Sequence, residues 1–448
     1  MYRKNLQITT ERLQEMTNKL NAFQLFPEPK INKTLSNKGS RLMIAAFLLL
    51  MTTFPFMGCE SGGSVGSDII PNNDGIDSQT VGFNEINRFN ENNFSGRLTN
   101  TSVGYVEDPL YGTIESVALI KPVIIRASDL GSIQEDDKMQ LRLEFRDEIF
   151  GNRSATSEFK IYEVGELWRG NQLRYNGQID VDRSVEVGEF QLQNEQAITV
   201  DLSDEWTQKF AEFYNSESAD RDSTYRNNFT GLAIVPSQTN QNLRFLRTGS
   251  DPDDPELVLT RFIVNSPVDE TDDDEESDDG VTELSLRDWG ASYIRTDVPE
   301  QNSGFTLHST ETILELIPNI SSAQFSSRNI SNATLVLTKN QNVEQLQPDF
   351  ERLSPDIVQL HVFEEKPSDI MAEVFTNDPD FFRINEDDED VFLVDITQYV
   401  LNRVYGERSD DKLYLTTQIS NGLLYSTQFY DLNAPEELRP RIVITFIK

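Results

Sequence analysis

Cysteine, histidine, basic side chains and long apolar runs are all scarce in this chain. It has one cysteine and two histidines in 448 residues, and 39 Lys and Arg against 75 Asp and Glu. A single thiol excludes an intramolecular disulfide framework and leaves a cysteine-based zinc site short of ligands. His308 and His361 have no spacing that builds a metal site, and neither is placed to serve a nucleophilic serine. The formal net charge of −36 argues against nucleic acid and anionic headgroups as partners, because phosphate recognition needs basic patches. The main apolar run, Leu42 to Met51, is shorter than the roughly 20 residues of a comfortable membrane span.

What is present points to a folded chain. With 37% hydrophobic and 10% aromatic residues it can bury sizeable cores. The length suggests two or three domains. At the amino terminus, Lys38 and Arg41 precede the run Leu42–Met51, and Thr52 to Gly58 lead to Cys59. This order is that of a signal peptide: a positive region, a short apolar region, and a small residue before the cut. Phe56-Met57-Gly58-Cys59 resembles the lipobox of a bacterial lipoprotein, although Phe56 stands where that box usually has Leu. The resemblance implies cleavage after Gly58 and lipidation of Cys59. An ordinary cleaved signal peptide and an uncleaved anchor helix are the alternatives. Residues 1–58 hold eight of the basic and three of the acidic side chains. Their removal leaves 31 basic and 72 acidic groups, a net charge of −41 that keeps the remainder soluble and fits a saline habitat. Residues 59–79 begin with a Gly/Ser run and read as a flexible tether. Gly62-Gly63-Ser64-Val65-Gly66 matches a nucleophile-elbow pattern, but without the strand and helix that an elbow needs.

A second break in composition lies at Asp269–Asp279, where nine of eleven residues are acidic. Such density extends a chain, and residues 267–282 read as an interdomain linker. Calcium is the alternative, although the acidic positions and Gly280 miss the EF-hand register. The flanks repeat each other. Val200-Asp201-Leu202-Ser203 corresponds to Val394-Asp395-Ile396-Thr397, each before a short helical pattern with Ser203 or Thr397 as N-cap. Upstream, Met139, Leu141, Leu143 and Phe145 alternate with polar residues, and Asn332–Leu337 is the partner strand at the same offset of 194 residues. Pro255–Leu259 matches Pro440–Ile444, and mid-domain strands are expected at 159–164 and 358–363. A repeat of this length is a duplicated domain. Short β-branched and aromatic strands between turn residues predict an all-β protein of two tandem β-sandwich, jelly-roll-like domains, 80–266 and 283–448. Each is expected to carry at most one helical turn.

Asp395-Ile396-Thr397, the helical turn and Arg439-Pro440 before a last apolar strand resemble the disaggregatase-related repeat (DNRLRE) family. The resemblance implies a jelly roll similar to carbohydrate-binding modules. Gly104-Tyr105-Val106-Glu107-Asp108-Pro109-Leu110-Tyr111-Gly112-Thr113 is similar to the start of uncharacterised lipoproteins of the Bacteroidota that carry a D-P-x-x-G-T turn.

Paired carboxylates could serve glycoside hydrolysis, but with so many acids a pair at the right distance carries no information. No catalytic or metal-ligating residue is assigned and no cofactor is expected. Sugar binding by a β-sandwich stacks aromatic faces on pyranose rings. Among three tryptophans, Trp206 falls on a helix face toward the core, and Trp289 is placed to pin the start of the second domain. Trp168 in the polar turn 165–171, with Arg169, is the candidate sugar contact, and a rim position over the core is its bland alternative. The expectation is a lipid-anchored protein of the bacterial outer membrane, periplasmic or surface-exposed. Its partners would be membrane lipid through the acyl anchor and a polysaccharide or envelope protein, with no nucleic acid. A non-catalytic glycan-binding or adhesive module comes first, an accessory lipoprotein of an outer-membrane or secretion assembly second, and a hydrolase third.

Overall fold

Where polar and apolar residues alternate, the chain is extended and buries one face. In the strand Lys138–Glu144, Met139, Leu141 and Leu143 are fully buried while Gln140 and Arg142 stand on the other side. The computed structural model describes residues 75–447, apart from 125–130, 251–256, 268–280, 300–303, 341–348, 356, 364–365, 377–380, 389, 407–411 and 418–420. Cys59, Gly58, the start of the tether and the acidic run Asp269–Asp279 lie outside the described residues. Within them the fold is all-β: a twelve-stranded sheet network, a nine-stranded sheet and a two-stranded ribbon.

The duplication is written into the hydrogen-bond register. In the first copy Lys138–Glu144 lies between Arg261–Asn265 and Ala197–Asp201, with Leu141 opposite Phe262 and Val200. In the second, Asn329–Thr338 lies between Arg441–Ile447 and Val391–Asp395, with Leu335 opposite Ile442 and Val394. The offset of 194 residues is thus kept by the paired central strands. The mid-domain strands form at Ser157–Val164 and Ile357–His361. The last strand of the first copy starts at Arg261, so Leu257–Leu259 is not its counterpart of Ile442–Ile444.

The copies trade their opening strands. Val281–Thr296 pairs with Arg261–Asn265 and then runs along Gly112–Pro122, completing the first copy. Ile76–Val81 pairs with Arg441–Ile447, and Phe83–Asn90 pairs with Thr312–Pro318, completing the second. Val81 opposite Ile442 therefore repeats Leu284 opposite Phe262. The stretches on either side of residues 267–282 thus share strands rather than forming separate sheets. Strands cross the expected borders in both directions, and the tether drawn to residue 79 gives way to a strand at Ile76. The physical reason is the open edge of each sheet: an unpaired ladder is satisfied by whichever strand reaches it, and alternation does not say which.

The first helix spans Asp204–Tyr214, with the Ser203 side chain accepting from the Trp206 backbone N–H, as expected of its N-cap. Trp206 stacks on Phe210 and Phe262 at 5.9 and 5.7 Å in the first core. A second helix, Arg221–Asn228, follows, so the first copy exceeds the one helical turn expected of it. The second copy carries Ile370–Thr376 and Thr397–Tyr405. There Thr397 is the first helical residue rather than the cap. Its backbone N–H and hydroxyl bond Asp395 Oδ1, and its Oγ1 accepts from Ala333 N at 2.8 Å.

A third core joins the copies: Tyr111, Phe150, Phe245 and Tyr293 meet Leu423 and Leu424. The D-P-x-x-G-T turn sits here. Asp108 Oδ1 accepts from the backbone N–H of Leu110 and Tyr111 at 2.7 and 2.9 Å. Its carboxylate also takes a two-pronged ion pair from Arg352 at 2.6 and 2.8 Å. Gly112 has φ 88°, and a Cβ there would stand 2.3 Å from Thr296 O. The motif therefore shapes a hairpin and clamps one copy to the other. A buried Arg295–Glu311 pair does the same nearby.

Candidate functional site

Alternation that buries Phe159 and Ile161 sends Lys160 and Tyr162 to the opposite, outer face of the first copy. Across neighbouring strands that face continues through Ala233, Leu119 and Gly290, each paired with the one before. Half of it is covered by residues 165–180, whose Trp168 and Leu173 pack on Val164, Leu119 and Ala233. Gly290 is required there, since a Cβ would lie 2.7 Å from the Gly96 Cα.

The other half is open. A recess of about 700 Å³ is lined by Tyr162, Lys160, Arg183, Gln191, Val235 and Gln238, among others. A second, about 460 Å³, involves Val117, Glu166, Asp180, Arg183, Gln238 and Ser292. A third, about 360 Å³, reaches Tyr105, Glu107, Asn152 and Phe350. Gln238 borders all three and Arg183 two of them, so they form one winding groove. Both side chains are exposed, and among the described residues neither has an ion-pair or hydrogen-bond partner. Lys160 is held by Glu186 at 2.7 Å, which holds its pKa above the usual lysine value. Glu166 accepts from Asp180 N at 2.8 Å. The groove thus offers a half-buried phenol ring, a free guanidinium, a free amide and fixed carboxylates. That set can stack on and hydrogen-bond a polyhydroxylated ligand.

The residues singled out from sequence fall elsewhere. Trp168 is 4% exposed, its indole N–H donates to Thr230 O at 2.7 Å, and the Lys121 ammonium lies 4.5 Å from its ring centre. The ring is thus largely covered, and this burial does not favour the sugar contact expected of Trp168. Arg169 beside it is exposed, without an ion-pair partner among the described residues. Trp206 is core, as expected. Trp289 belongs to a strand of the first copy, where its indole N–H donates to Leu98 O at 2.7 Å. Tyr162, Arg183 and Gln238 were missed. The outward phase of Tyr162 was legible from Phe159 and Ile161; the approach of residues 183 and 238 to it was not.

Both histidines are interior. His308 Nδ1 lies 2.8 Å from Thr310 Oγ1, and burial drives its pKa well below the usual value. His361 Nε2 lies 3.1 Å from Thr416 Oγ1, and burial brings its pKa down to about 4. Glu91, pushed up by burial and then by Asp369, accepts from the Met371 N–H at 3.0 Å and lines none of these recesses. Among the described residues no group of three His, Cys, Asp or Glu side chains could hold a metal ion, and no helix is long and apolar enough to cross a membrane. No protein-family model matches the chain, and no curated protein matches it either.

Proposed function

We propose that the protein is a lipid-anchored component of a bacterial outer membrane, attached through Cys59, whose first β-sandwich copy binds glycan without cleaving it. The observation that carries the binding reading is the groove at Tyr162. It is an open recess on a sheet face otherwise covered, with Arg183 and Gln238 unpartnered at its junctions. A pyranose ring stacks on the phenol while guanidinium, amide and carboxylates take its hydroxyls. The anchor rests on the lipobox-like residues Phe56–Cys59 and the apolar run before them. Acyl chains contribute about 0.8 kcal/mol per buried CH₂, so two or three make attachment effectively permanent.

A glycan array probed with the wild type identifies the ligand. Tyr162→Ala and Arg183→Ala should then each weaken binding about tenfold or more, with a cooperative melting transition retained in both. A blank wild-type array, or binding indifferent to both substitutions, sinks the glycan reading. Mass spectrometry of the native amino terminus tests the anchor: an unmodified Cys59 thiol would remove it.

A further inference from the structure

A further recess, of about 220 Å³, borders the covering segment at Trp168, Arg169 and Asn171 and shares no residue with the groove. Five of its lining side chains are cationic: Arg97, Lys121, Arg169, Arg226 and Arg287. This concentration stands out in a chain of net charge −36. Three of them come from regular elements, and Arg97 and Arg169 from the connections between strands. Lys121 lies on Gly112–Pro122 opposite Asp288. An irregularity in the ladder between Leu286 and Asp288 leaves Arg287 without a partner residue on that strand, and a bulge re-aims the side chain it carries. Arg226 comes from the last turn of Arg221–Asn228.

Counter-charge is incomplete. Asp222 takes both Arg226 and Arg287, at 2.8 and 2.6 Å. Asp288 takes Arg97 at 3.1 Å and the Gly170 N–H at 2.9 Å. Lys121 is 4% exposed, yet its ammonium donates to a neutral acceptor, Trp168 O at 2.9 Å. Arg169 has no ion-pair partner among the described residues. Asp288 also lines the recess, but its carboxylate is engaged by Arg97 and Gly170, so a buried ammonium and a free guanidinium face the recess with no carboxylate bonded to them.

We propose that this recess is an anion site for a phosphate or sulfate group. Its dimensions suit one tetrahedral oxyanion and part of whatever bears it. Guanidinium groups supply the forked donors such an anion accepts, and Lys121 the point charge. The whole-molecule field repels polyanions, but at physiological salt it is screened within about 8 Å and the local donors prevail. Lys121 reports occupancy. Burial first, then Arg169 and Arg287, lowers its pKa to about 8 against the opposing pull of Asp288. Arg97 and Arg226 add charge of the same sign, and Tyr225, whose pKa is raised by burial, stays neutral. A bound anion raises the Lys121 value again.

The test is titration calorimetry on the full chain at pH 7 and physiological salt, with inorganic phosphate, inorganic sulfate, dextran sulfate and neutral dextran. Binding of an inorganic anion supports a free-anion source. Binding of dextran sulfate alone supports an ester borne on a polymer. In either case Arg169→Glu, an exposed position, should weaken binding about tenfold or more, and Tyr162→Ala should leave it unchanged. Lys121→Gln, checked for folding by its melting curve, should weaken it too. Binding should decline as pH rises past 8, and the Lys121 Nζ titration should move upward at saturation. No binding of any charged probe, indifference to Arg169→Glu, or loss with Tyr162→Ala would each overturn the proposal; neutral dextran bound by the wild type and lost with Tyr162→Ala reports the groove instead.

Discussion

The two copies share a ladder and differ on the face outside it. In the first, the outer face around Tyr162 is half covered and half open. In the second, Ile313 and Tyr414 occupy that face, and Ile370 and Met371 of the helix Ile370–Thr376 close over them with Phe363. The cationic recess diverges in the same way. Lys121 opposite Asp288 in the first copy is matched by Ile317 opposite Glu85 in the second, by the pairing of Ile120 with Trp289 and of Leu316 with Ile86. Inward positions such as Leu141 and Leu335 are constrained by close packing, where a change of one methylene is felt. Outward positions are free to gain a lid or a recess. Both proposed ligand sites therefore draw nearly all their lining from the first copy, with Phe350 of the second reaching the groove at one end.

Removing the traded strands tests the comparison most severely. A chain restricted to 283–448 lacks Ile76–Val81 and Phe83–Asn90, and with them Val81, Phe83 and Ile86 from the second core. It should fail to fold cooperatively; a sharp thermal transition seen by circular dichroism would show that the copies are independent. Next is the clamp between them. Arg352→Ala strands the fully buried Asp108 carboxylate and should cost about 3–5 kcal/mol in equilibrium denaturation. A double substitution that removes both partners should recover part of that loss.

Acid should distinguish the copies, since both histidines belong to the second. His361 is neutral in the folded state with a pKa near 4, below its unfolded value, so the unfolded chain binds more protons between those limits. Its contribution is complete above about pH 6.5 and is lost as pH falls toward 4, by up to about 3 kcal/mol. Hydrogen exchange followed from pH 7 to 4 should show the second copy opening first, and His361→Gln should flatten that slope. Uniform opening would erase the distinction. The smallest effect concerns the helix starts. Ser203→Ala removes one cap and should cost about 1 kcal/mol. Thr397→Ala also orphans the Ala333 N–H and should cost somewhat more, about 1–3 kcal/mol. Chemical denaturation of the two variants side by side checks the order.

Much of the fold was legible. The alternation at Met139–Phe145, the recurrence of Val-Asp-x-Ser/Thr, and Ser203 as a cap all report local geometry, which a short stretch of chain specifies. The partner of a strand is another matter. Ile76–Val81 reads as part of a tether in isolation and becomes an edge of the second copy through Arg441–Ile447. Asp108 reads as a turn residue, and its ion pair with Arg352 spans 244 positions. The binding residues were the least legible. Trp168 drew attention as a rare aromatic in a polar turn, yet Val164, Leu119 and Leu173 pull it under cover.

Periodicity, turn chemistry and charge settled that the chain is all-β, duplicated and acidic, because each of these is a property of neighbouring residues. The exchange of opening strands, the burial of Trp168 and the meeting of Tyr162 with Arg183 and Gln238 depend on segments distant along the chain. Their contact is chosen by which edge is left unpaired and which surface is left uncovered once everything else has packed.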